Sequence, residues 1–118
     1  MPKNPKDAEA SEEQIALRSK IISCLVIDSL LRRAEYAKFY QDVQSAIQDF
    51  TEVIKRCQEY PEGNQRVMGS AFFNLGQIHL ELNQRDQALQ HFSRVETILK
   101  ECLFEKLKEN GQTEVDRN

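Results

Sequence analysis

The sequence predicts an all-α fold of two stacked helical hairpins, with an extended first helix and a long last helix that caps the stack. Three observations carry this. Apolar residues recur every three or four positions over most of the 118 residues, and no alternating strand pattern interrupts them. Breakers are scarce, with four Gly and three Pro set among plentiful Leu, Ala, Gln, Glu, Lys and Arg. Finally, one skeleton occurs twice in the same register. Phe72-x2-Leu75-Gly76-x2-His79, then Ala88-x3-Phe92, lies over Leu30-x2-Arg33-Ala34-x2-Ala37, then Ala46-x3-Phe50. In both copies the small residue, Ala34 or Gly76, precedes the alanine of the following helix by 12 positions.

The first helix is expected to start at Ser11, whose hydroxyl can cap the amide three residues on while Gln14 reaches back, and to run to about Phe39. Its middle, Ile21 to Ile27, is apolar nearly all round and needs cover on more than one side. A second helix begins near Asp42, which supplies a cap and a negative charge at the positive end of the helix dipole. Val43, Ala46, Ile47, Phe50, Val53, Ile54 and Cys57 give it one apolar face. Pro61-Glu62-Gly63-Asn64 joins a residue that cannot continue a helix to one that takes positive φ, so the chain turns there. The third helix, about Gln65 to Leu82, carries Val67, Ala71, Phe72, Leu75, Ile78 and Leu82 on its inner stripe. Asn83-Gln84-Arg85-Asp86 is the next tight turn, with Asn83 left-handed and Asp86 the expected cap. The last helix, about Asp86 to Glu109, carries its apolar face through Val95, Ile98, Leu99, Cys102, Leu103 and Leu107, and its extension is expected to shield the open flank. Residues 1–10 and 110–118, polar and aperiodic, are expected to be flexible tails around one domain spanning 11–109.

Composition removes several classes. A net charge of −3 and a pI near 5.4 argue against direct nucleic-acid binding, which needs a basic face. No apolar run approaches 18 residues and the first residues lack an apolar core, so neither a membrane span nor a signal peptide is expected and the chain reads as soluble and intracellular. Cys24, Cys57 and Cys102 lie on apolar stripes without CxxC spacing, as small core hydrophobes in a reducing compartment, cytosol or nucleus. Phosphate-binding glycine loops and nucleophile motifs are absent. His79 and His91 are expected to be structural, with no second histidine, cysteine or carboxylate arranged for a metal or a proton relay. No cofactor, no metal and no enzymatic activity are expected.

The duplicated skeleton resembles the tetratricopeptide pattern W-x2-L-G-x2-Y…A-x3-F, whose helix-turn-helix units must stack to bury their apolar faces. Equivalent positions lie 42 residues apart, where an ordinary array advances by 34, and the eight extra residues are expected to lengthen the junction at residues 60–67. The segments Ser45-Ala46-Ile47-Gln48-Asp49-Phe50, Gly69 to Ile78 and Arg85 to Ser93 are similar to the nuclear autoantigenic sperm protein family of histone chaperones, over roughly residues 27–107. That resemblance implies a nuclear protein, also present in the cytoplasm, that binds histone H3 or H3–H4 without catalysis during nucleosome assembly. The chain departs from the family in its charge. Residues 41–64 hold five acids and two bases, residues 65–109 six of each, and no acidic run occurs. Arg33 and Ala37 replace an apolar and an aromatic residue of the first motif.

In stacked hairpins the first helix of each unit lines a groove. Helical spacing puts Asp28, Leu31, Glu35 and Phe39 there from one unit, and Phe73, Gln77, Leu80 and Glu81 from the other. Apolar anchors flanked by acids suit a basic amphipathic helix. A rival ligand is an acidic-aromatic or leucine-rich cargo or signalling peptide, held by a cytosolic adaptor. Repeats usually need about three units to bury a continuous core, so two imply a homodimer or an obligate partner.

Overall fold

The computed structural model describes residues 5–110, with side chains placed from residue 11 on. Four helices follow one another: α1 Pro5–Phe39, α2 Val43–Glu59, α3 Gln65–Glu81 and α4 Arg85–Glu109. Each packs antiparallel on the next, and α3 also touches α1. The molecule measures 63 × 50 × 19 Å, and its least dimension is that of two helix layers. The all-α hairpin architecture is therefore as the sequence predicts, and among the described residues no helix is long and apolar enough to cross a membrane.

The repeat is more faithful than the motif alone implies. α1 and α3 end 42 residues apart, as α2 and α4 begin, and the two turns are the same device. Gln41 and Asn83 are left-handed (φ 63° and 61°). Behind each, an amide bonds a carbonyl five residues back: Asp42 N to Ala37 O and Gln84 N to His79 O, both 2.8 Å. This six-to-one bond closes a helix whose last residues have no partner of their own. Asp42 caps α2 as expected, its carboxylate accepting from Ser45 N at 3.4 Å.

Four expectations need correction. The helix α1 begins at Pro5, not Ser11, because a proline is tolerated where no intrahelical N–H bond is due and the residues after it favour helix. Of the two segments expected as tails, 1–4 and 111–118 lie outside the described residues. Next, α4 is capped at Gln84 and begins at Arg85, so Asp86 sits in the first turn, where its charge opposes the dipole without capping. The eight extra residues do not form a long junction either. Only residues 60–64 connect α2 to α3, where Asn64 donates to Tyr60 O at 2.8 Å and Gly63 takes φ 83°. The surplus instead lengthens the two helices, to 17 residues each. Finally, α4 continues as one helix past the stack, and Leu99, Leu103 and Phe104 on it stay exposed instead of shielding the flank.

The core runs between the layers through Ile27, Ala34, Ala46, Phe50, Val53, Cys57, Ala71, Leu75, Ile78 and Ile98, whereas Leu82, expected on the inner stripe of α3, is its C-cap and stays exposed because the helix ends before it. At Gly76 a Cβ would lie 2.6 Å from Cε1 of Phe92, so only glycine allows α4 to approach α3 this closely. Ala34, its counterpart, is fully buried. Arg33, where the pattern expects an apolar residue, reaches α2 and grips buried Asp49 with two bonds of 2.7 and 2.8 Å. The cysteines are free and at least half-buried. Burial, with Cys24 adding to it, pushes the Cys57 thiol up to about 11, which keeps it protonated and inert.

Candidate peptide-binding groove

The two first helices of the hairpins, α1 and α3, face each other across the groove that helical spacing assigns to ligand. On α1 the stripe Asp28, Leu31, Glu35 continues at the next turn to Lys38, and Lys38 is the residue that crosses. Its Nζ donates to Asn74 Oδ1 at 2.8 Å and to Gln77 Oε1, both on α3. Asn74 is oriented for this by donating its own Nδ2 to Ser70 O at 2.8 Å. Among the described residues no carboxylate pairs with Lys38, so a half-buried cation held only by neutral amides sits between the hairpins.

The expected groove residues divide around it. Leu31 is half-buried against the core and Gln77 is half-buried under Lys38. Glu35 and Glu81 are exposed, as is Leu80 at 50%. Asp28 is exposed but already engaged, 3.2 Å from Arg32 one turn along. Phe39 is 78% exposed one turn beyond Glu35 and meets Tyr40 edge-on at 5.1 Å between centroids, while its neighbour Lys38 reaches α3. Phe73 points toward α4, with its ring 5.7 Å from that of Phe92, and belongs to a different cleft. Lys38 and Asn74 are the groove residues missed in the sequence. The signal for Lys38 was present, since i, i+3, i+7, i+10 from Asp28 ends on it, but a lysine at the end of a helix reads as a dipole partner before it reads as a bridge.

The cleft that takes Phe73 lies on the far side of α3. It is about 690 Å³ in volume and lined by Arg66, Ser70 and Phe73 with Val95, Leu99 and Leu103 of α4. A second one, about 460 Å³, lies between α1 and α2 beside the Arg33–Asp49 pair, with the stacked rings of Tyr36 and Tyr40 on its wall.

His79 of α3 and His91 of α4 are stacked at 5.1 Å, a packing contact between the two helices. His79 Nδ1 lies 2.6 Å from Gln84 Oε1, and burial together with the neighbouring His79 draws His91 below its ordinary value. This pair makes a packed contact across the hairpin. Among the described residues no three His, Cys, Asp or Glu side chains gather to hold a metal ion.

A family model described as tetratricopeptide repeat matches residues 26–101. Among curated proteins and among solved structures nothing matches.

Proposed function

The chain belongs to the tetratricopeptide-repeat family, and on that basis we propose that it is a non-catalytic adaptor whose α1–α3 groove takes a short segment of a partner protein. The observation that supports this most directly is Lys38. An ammonium has three donors, and Asn74 and Gln77 accept two of them, which leaves one for an acidic group of the ligand. A charge-assisted bond of that kind in a half-buried site is about twice as strong as a neutral one. Leu31 and Leu80 stand by as apolar contacts. The ligand that fits is therefore an apolar cargo or signalling segment carrying an aspartate or glutamate near its middle.

A second reading follows the resemblance to histone chaperones. The exposed acids Glu35 and Glu81 on the rim favour a basic helix of histone H3 or H3–H4, bound by a nuclear chaperone of nucleosome assembly. The two readings need opposite charges at opposite places. Titrating a labelled leucine-rich acidic peptide and purified H3–H4 at several salt concentrations separates them. Lys38→Glu should weaken the acidic peptide on the order of a hundredfold while leaving histone affinity intact. Glu35→Lys with Glu81→Lys should do the reverse. An acidic peptide bound equally well by Lys38→Glu would remove the first reading.

A further inference from the structure

Both flanks of the stack are uncovered. On the α1 flank, turned away from α3, Ile15, Ile22 and Leu25 are exposed and Val26 half-buried; on the opposite flank lies the cleft of Phe73, Leu99 and Leu103. We propose that these two surfaces are the halves of one interface: the α3–α4 flank of one copy receives the α1–α2 flank of a second copy, head to tail, continuing the stack. This does not depend on which ligand occupies the groove.

The register comes from the molecule itself. The step that sets α3 against the first hairpin is 42 residues, so residues 23–39 of α1 correspond to the whole of α3 and α2 to residues 85–101 of α4. What remains is an overhang on each outer helix, residues 5–22 of α1 and 102–109 of α4. Because each helix packs antiparallel on the next, both overhangs protrude from the same end. A second copy added by the same step lays its α1 against α3 and α4 and runs its overhang along that of α4. Ile22 then passes Cys102 and Leu103, and Ile15 reaches the last turn of α4.

The charged side chains lining the cleft are Arg66 and Lys106, both cations. The shared register sets Arg18 beside Lys106, so the pairing rests on register and apolar area and not on charge. The area is sufficient. About eight large apolar side chains, each offering on the order of 100 Å² when half exposed, give roughly 800 Å² of apolar surface, in line with an interface of standard size once its polar rim is included. Such a contact is heterologous, so it repeats until it closes into a ring or continues as an open chain.

The test is the mass of the 118-residue chain by light scattering over a hundredfold range of concentration. The expected result is a mass that rises above one chain with concentration. Ile22→Glu and Leu103→Glu, both at exposed positions, should each lower the association constant on the order of a hundredfold, because each buries an unpaired charge in the contact. Helical circular dichroism should stay unchanged. Each variant keeps one intact flank, so mixing the two should restore pairing and stop at two chains. A mass of one chain throughout would overturn the proposal, as would an Ile22→Glu variant that still associates, since that is the behaviour of a two-fold contact through the cleft alone.

Discussion

At the scale of single residues the sequence is clearest where a side chain is missing. Gly76 was legible as a close approach because it stands where its repeat partner is alanine, and the structure places the Phe92 ring against it. Gly76→Ala should therefore cost about 1–2 kcal/mol by urea denaturation, the crowding of the ring outweighing the helix propensity that alanine gains. In a Phe92→Leu background the same change should become neutral or stabilising; an equal cost there would mean that Phe92 is not what limits the approach. Lys38 was less legible. Its bridge to Asn74 and Gln77 depends on how far apart two hairpins sit, and no spacing within one helix encodes that distance. The stacking of His79 on His91 was hidden for the same reason, because those residues meet only once α4 has packed on α3.

Among elements, existence and order were legible, and terminal residues were not. Four amphipathic stretches and their turns follow from apolar period and breakers, whereas the start of α1 and the cap of α4 were each misplaced. Gln84 caps by backbone position alone, with its side chain committed to His79, so no capping residue marks the site. Gln41 shows the cost of a turn without its usual residue. It holds φ 63°, a conformation that asparagine or glycine takes more readily, while its counterpart Asn83 has the fitting side chain. Gln41→Gly should stabilise the protein by about 0.5–1 kcal/mol, and Gln41→Val should destabilise it by a similar amount. Both are read as shifts in the urea midpoint, and a loss with glycine would mean that the left-handed residue lies elsewhere in the turn.

For the whole molecule, the two-hairpin stack could be read from a single 42-residue self-alignment, but its flanks could not. An apolar stripe looks the same whether it is covered by its own chain or left for another. The last helix was accordingly expected to close the stack and instead runs past it, with Leu103 60% exposed. If the flanks meet between copies, hydrogen exchange should depend on concentration in a localised way. Amides of residues 11–22 and 102–109 should exchange fast in dilute protein and become protected in concentrated protein, while those of α2 and α3 stay slow in both. Uniform exchange at the two concentrations would count against contact at these overhangs.

The extra turns that entered α2 and α3 in place of a longer junction also act as a ruler. At 17 residues, α3 offers a wall of about 25 Å. An extended chain laid along that wall is read over about seven or eight residues, and one crossing at right angles over far fewer. The length of these helices thus sets the footprint of whatever the protein holds, and a repeat of ordinary height would grip a shorter word.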